Sequence, residues 1–228
     1  MSNYRDFNEI KILTKIEGTF VNETPIRIGS GGEPPLGASV DAAVYRINGK
    51  PCIPGSSLKG LFRAYAEIIA KSMNEEVHDP WDDKKIEEEK ESNFCLICGI
   101  FGNTEIASHI RIYDSIPKNE ARTFLKHGIA IDREFGSAKA GALFTEEFIE
   151  LNMEWTFRMD VYNIKVFPEP DDKRGEIIRA LMDQFRKGFQ IGARKSVGAG
   201  LIKLKEMAWT AYTIKNGIFD VISRGQFK

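Results

Sequence analysis

Residues 53–63 read IPGSSLKGLFR, and this stretch decides how the chain folds. Pro54 and Gly55 end an extended run, Ser56 or Ser57 can cap a helix, and Leu58, Leu61, Phe62, Tyr65, Ile68 and Ile69 recur at helical spacing toward Met73. A helix that begins this abruptly leaves its first N–H groups unpaired at the positive end of its dipole. Lys59 and Arg63 stand beside them, so phosphate is the expected guest. Taken alone, the string also reads as a capped amphipathic helix with two solvated basic residues. A second basic, glycine-rich string, GARKSVGAG at 192–200, favours the anion. Gly192, Gly198 and Gly200 permit close backbone approach there, and Arg194, Lys195 and Ser196 offer donors to phosphate oxygens. This is not a Walker loop, because Arg194 stands where that motif needs glycine.

Working outward, residues 9–28 carry β-branched and apolar residues in partial alternation and predict a first strand, bent near Gly18. SGGEPPLG at 30–37 predicts a loop, and residues 42–47 regain strand character before the tight turn Asn48-Gly49. Beyond the helix, the acidic stretch 75–91 reads as an insertion, helical over 84–91 or mobile. FCLICGIFGN at 94–103 is a turn-rich knuckle, and residues 108–116 alternate as a second core strand. Residues 117–148 contain a projecting hairpin, with Ile129 and Ile131 on one side of a glycine-rich centre and Ala142, Leu143 and Phe144 on the other. A third core strand spans 150–161, a second amphipathic helix 171–188 and a fourth strand 201–209. The order is βαββαβ, so the fold class is α+β, a ferredoxin-like (RRM-like) core with insertions. Such a sheet packs helices on one face and leaves the other free, an arrangement common in RNA-binding proteins.

The chain has 228 residues and a net charge of −1. That sum hides segregation: residues 75–91 hold nine acidic and three basic side chains, leaving 29 basic against 24 acidic elsewhere. There is no apolar run of membrane-spanning length and no signal-peptide pattern, so a cytoplasmic protein without membrane contact is expected. Three cysteines, Cys52, Cys95 and Cys98, do not build a disulfide framework. Cys95 and Cys98 have the spacing of half a zinc site, which His78 or His109 could complete. His78, Cys95 and Cys98 are the preferred candidate ligands for a structural zinc, the alternative being a buried cysteine pair packed beside Phe94 and Phe101.

IRIGSG at 26–31, IPGSSLKGLFR at 53–63, CLICGIFG at 95–102, AIDREFGSAKAGALFTEE at 130–147 and GARKSVGAG at 192–200 together resemble the RAMP superfamily of CRISPR proteins, in particular the repeated Csm-type backbone subunit of type III effector complexes. The resemblance implies a single RAMP domain over 1–228, a lid insertion at 74–107 and a thumb hairpin at 117–148. It implies guide RNA (crRNA) and target RNA as ligands. The implied protein partners are further copies of the chain, related RAMP subunits, and large Cas10-type and small subunits. Arg27, Ser56, Ser57, Lys59, Arg63, Arg194, Lys195 and Ser196 would hold guide phosphates. Ile131, Arg133 and Phe144 would belong to the thumb that wedges into the guide–target duplex.

The family's endoribonuclease activity rests on an aspartate that LGASVDAAVYR places at Asp41, with one extra residue in the spacing. Asp41 would position a divalent ion, Mg or Mn, for attack of a target 2′-hydroxyl on the adjacent phosphate. Some relatives bind zinc in the lid. Arg27 stands where relatives often carry histidine; it keeps a phosphate contact but cannot shuttle protons. Three functions follow: a guide-binding subunit that cleaves target RNA, the same subunit as scaffold only, or a stand-alone guide-RNA-processing endonuclease. The last would want a histidine base, and His78, His109 and His127 lie outside the strongest RNA-binding strings.

Overall fold

The first core strand, β1 (Leu13–Asn22), buries Ile16 and Phe20 on one side and turns Lys15 and Glu17 to the other, the period-two pattern of a half-covered sheet. The computed structural model describes residues 4–29, 40–90 and 93–227. The expected loop at 30–37, with the SG end of IRIGSG and the LGAS start of the Asp41 string, lies outside the described residues. The remaining elements, in chain order, are β2 (Arg46–Ile47), β3 (Lys50–Pro51), α1 (Gly55–Ser72), α2 (Asp83–Lys90), α3 (Cys98–Phe101), β4 (Ile110–Ile112), β5 (Thr123–Ile131), β6 (Ala138–Ile149), β7 (Glu154–Tyr162), α4 (Lys173–Lys187), β8 (Phe189–Gln190), β9 (Leu201–Lys215) and β10 (Ile218–Phe227).

Strands β9-β1-β7-β4 form an antiparallel sheet with β10 added outside β9 and the short β8 paired to β9. With α1 after β1 and α4 after β7, this is the βαββαβ order expected from the sequence. Both helices cover one face. Phe62 of α1 and Phe185 of α4 meet at 5.6 Å, and Phe157 of β7 and Phe189 of β8 close the aromatic core around them. Each fully buried phenylalanine contributes roughly 1.5–3 kcal/mol by leaving water. Asp172 caps α4 by accepting the Gly175 N–H at 2.8 Å, as a helix start after Pro170 requires.

Several expected boundaries shift. The chain leaves the sheet after Asn22, and Ile26 instead bridges Ile149 of β6, so the predicted long first strand serves two sheets. Of 42–47 only β2 is strand, because residues 41–44 dock on β6. The second core strand shrinks to three residues, since Ser115 turns aside to pair with Ile53. The last strand runs beyond Trp209 and returns as β10 through Asn216-Gly217, both at positive φ, a tight turn overlooked in the sequence. The acidic insertion is helical over α2. No described helix is long and apolar enough to cross a membrane.

Candidate nucleic-acid interface

Three strings far apart in sequence line one open groove of about 550 Å³. Arg27, Ile28 and Gly29 follow β1; Ser57, Gly60, Leu61 and Ala64 form one flank of α1; Gln190 to Ala193 and Lys195 come from the loop before β9. The loop is held by backbone bonds: the Ala193 N–H donates to the Arg27 carbonyl at 2.9 Å, and the Gly200 N–H donates to that of Pro25 at 2.9 Å. Gly192 and Gly200 have φ of +80° and +85°, and a Cβ at either would lie 2.3 Å from the Arg27 oxygen or 1.9 Å from the Ile191 oxygen. The glycines are therefore obligatory for this close approach. Lys195 and Ser196 stand exposed on the 3-10 turn Lys195–Val197.

The helix start differs from the sequence expectation. Pro54, not Ser56 or Ser57, occupies the cap position of α1, and no side chain of its own caps it. The Asp114 carboxylate accepts the Gly55 N–H at 2.7 Å, and the Ser57 N–H turns back onto the Pro54 carbonyl. A carboxylate from another element thus takes one position the sequence left open to an anion. Lys59 is half-buried, and burial, then Arg63, push its pKa down. Arg63 points toward the knuckle: it donates to Glu67 at 3.0 Å, to the Gly102 carbonyl at 2.8 Å and toward Cys98 Sγ at 3.6 Å.

Arg27 and Arg194 converge on Glu146 of β6, at 3.1 and 2.9 Å, and this buried carboxylate was not singled out in the sequence. Arg194 also lies over the Phe144 ring, whose other contact is Gly128 of β5. Phe144 is therefore midway along the β5–β6 hairpin, opposite Gly128. Ile131 and Arg133 sit exposed at its far end beside Phe135, which is 81% exposed and equally unforeseen. On the open face of the main sheet, Arg158 pairs with Glu17 and lies over Tyr113, and Arg111 lies over Tyr162.

Asp41 is exposed and docked on β6. Its N–H donates to the Thr145 carbonyl, and its Oδ2 accepts the Thr145 N–H at 2.6 Å; Oδ1 makes no hydrogen bond among the described residues. The same loop continues to Val44 and Arg46, both of which donate to Glu147. The Arg46 guanidinium leads the bonds that hold the Glu147 carboxyl down at about 2, so the loop stays clamped to the hairpin throughout the neutral range.

His78, Cys95 and Cys98 come together with Glu89 of α2, their ligand atoms all within 4.8 Å. His109 does not join them; it is buried against Phe7 and bonds Asp6 at 2.7 Å. His78 Nδ1 bonds the Asp79 carbonyl, which places the proton there and turns the Nε2 lone pair toward Cys98 and Glu89. Glu89 Oε2 lies 2.9 Å from that nitrogen, an ion pair when the ring is protonated and, with a neutral ring, a buried oxygen without a hydrogen-bond donor among the described residues. Two acceptors facing each other beside two thiols fit a cation, and the donor set is one zinc takes with four ligands.

A model of the RAMP superfamily matches residues 19–203. No curated protein matches the chain. Among solved structures it is similar to a chain in the cryo-EM structure of the Type III-B Cmr-beta bound to cognate target RNA, with a TM-score of 0.57 and 19% identity over 86% of this chain. The match spans 60% of that chain's length, and at this identity the likeness is one of fold.

Proposed function

The chain belongs to the RAMP superfamily, and from that premise we propose that it is a guide-RNA-binding backbone subunit of a type III CRISPR effector complex, of the Csm type, that cleaves complementary target RNA. The observation that supports this most is the shared groove of Arg27, the α1 flank and the glycine-rich loop, where exposed backbone and basic side chains suit a run of phosphates. Lys195, Ser57 and Ser196 offer donors to the guide, while Arg27 and Arg194 are pre-positioned by Glu146. Lys59 and Arg63 sit on the other flank of α1, where Arg63 braces the lid through the Gly102 carbonyl. The β5–β6 hairpin acts as the thumb, with Ile131, Arg133 and Phe135 reaching toward the guide–target duplex. Partners are guide and target RNA, further copies of the chain, and Cas10-type and small subunits.

In this reading Asp41 Oδ1 serves the cleavage site. A divalent Mg or Mn ion held there would stabilise charge on the scissile phosphate. The chain's own part is to fix Asp41 on Thr145 and to keep the loop clamped through Glu147 and Arg46. A second reading, scaffold without cleavage, draws on the fact that Asp41 already has a structural partner in the Thr145 N–H.

The groove is tested by the RNA it carries. The purified protein is expected to retain RNA of uniform length. Lys195→Ala should weaken binding equally across sequences and reduce the salt slope by about 0.7, the share of one single-strand phosphate. A loss that depends on sequence would argue against a backbone contact.

For the lid, zinc bound by His78, Glu89, Cys95 and Cys98 would pin α2 to the knuckle. Purified protein is expected to carry one equivalent of zinc per chain, and the Cys95→Ser/Cys98→Ser variant only background. Equal metal content in the two sinks the site.

A further inference from the structure

We propose that His127 is the general acid of the cleavage reaction, delivering a proton to the 5′-oxygen that leaves the scissile phosphate; this rests on the reading of Asp41 as the cleavage residue. His127 lies 86 positions from Asp41 in the sequence (127 − 41), and only the fold brings the two to one hairpin. In the β5–β6 register His127 stands directly opposite Thr145. Its Nδ1 is 3.0 Å from the Thr145 hydroxyl, while the backbone N–H and carbonyl of that same Thr145 hold Asp41. One residue therefore positions both side chains.

The loop that carries Asp41 pairs with the edge of β6 opposite β5, and Arg46 carries it back onto the face that His127 occupies. Thr123, Leu125, His127 and Ile129 of β5 face Ile149, Glu147, Thr145 and Leu143 of β6, so these residues share one face. Arg46, five residues after Asp41, reaches Thr123 and Glu147 on that face. His127 is exposed, and its Nε2 makes no contact among the described residues, which leaves that nitrogen open to a substrate.

The chemistry needs such a group. As the 2′-oxygen bonds to phosphorus, the P–O5′ bond breaks and the 5′-oxygen must gain a proton. The 2′-hydroxyl proton passes to solvent, the imidazolium gives its own to the 5′-oxygen, and solvent reprotonates the ring, so the products are a 2′,3′-cyclic phosphate and a 5′-hydroxyl. Asp41 is an acceptor and cannot make that donation. Glu147, the other ionisable group on this face near Thr145, is held ionised by Arg46. Imidazole is the side chain suited to donate near neutral pH.

The test compares two target RNAs in the assembled, guide-loaded complex, one all-oxygen and one with sulfur bridging at the scissile 5′ position. A thiolate leaves without protonation, so it removes the need for an acid. His127→Ala is expected to slow the all-oxygen target by about 10²-fold and to cleave the sulfur-bridged target at the wild-type rate. His127→Gln, which can keep a bond to the Thr145 hydroxyl, should behave the same way and excludes a packing effect. Equal slowing on both targets, or no slowing on either, overturns the proposal. Asp41→Asn separates the premise: if it is inactive on both targets while His127→Ala is unaffected, only the His127 assignment fails. If Asp41→Asn cleaves both at the wild-type rate, the Asp41 reading falls and takes this one with it.

Discussion

Asp41→Asn in the assembled complex lowers metal-dependent target cleavage by at least about 10²-fold, the scale on which loss of one electrostatic stabiliser is felt, and leaves guide RNA bound. Asparagine is the informative substitution because its amide oxygen can still accept the Thr145 N–H that Asp41 accepts at 2.6 Å. The loop therefore stays docked while the charge goes. Asp41→Ala removes the docking bond as well, so it should lose the same activity and some rigidity of residues 41–46. Guide retention should persist in both variants, since Asp41 does not line the groove of Arg27, Ser57 and Lys195. The wild-type products should end in 2′,3′-cyclic phosphates, as attack by the neighbouring 2′-hydroxyl requires. Full activity in the asparagine variant would leave Asp41 as a docking residue and favour the scaffold reading.

Gly200→Ala destabilises the fold by roughly 3–4 kcal/mol, combining left-handed backbone strain with a collision that must displace main chain. A Cβ there would lie 1.9 Å from the Ile191 carbonyl oxygen, and that carbonyl cannot swing aside as a side chain can. The Ile191 N–H also donates to the Gly200 carbonyl, so any retreat unpairs the two ends of the loop. At about 2–4 °C per kcal/mol for a chain of this size, Tm falls by roughly 6–16 °C, and the groove loses the wall that carries Lys195. Gly198→Ala is the control. Its φ is +88° but nothing lies within 4 Å of the added carbon, so only the backbone term of about 1–2 kcal/mol applies. Equal melting of the two variants would mean that close approach to Ile191 does not hold the loop.

The core was legible because burial imprints its period on the chain. Leu58, Phe62 and Ala66 recur at helical spacing and face the sheet, and Trp155, Phe157 and Met159 alternate into the same core. Irregular segments were not legible, because their conformation is decided by partners. Residues 42–47 look like a strand, yet 42–44 dock on β6 through Glu147. Arg63 looks like a phosphate ligand beside a helix start, yet its hydrogen bonds go to Glu67, Gly102 and Cys98. Nothing in the spacing of one string tells where another string's carbonyl will lie.

The amino-acid sequence by itself determined the α+β class, the order of the core elements and the two glycine-rich basic strings, since these depend on local periodicity, turn chemistry and steric freedom. It also grouped His78 with Cys95 and Cys98 as candidate metal ligands. Only the tertiary structure decided which flank of α1 faces the groove, that Asp114 answers its N-terminus, that Glu89 is the fourth donor beside His78, and that Thr145 holds Asp41 and His127 on one hairpin. The reason is that a side chain's partners are chosen by distance in space. Hydrogen bonds and charges act over a few ångströms, and the residues meeting here are separated by tens of positions along the chain.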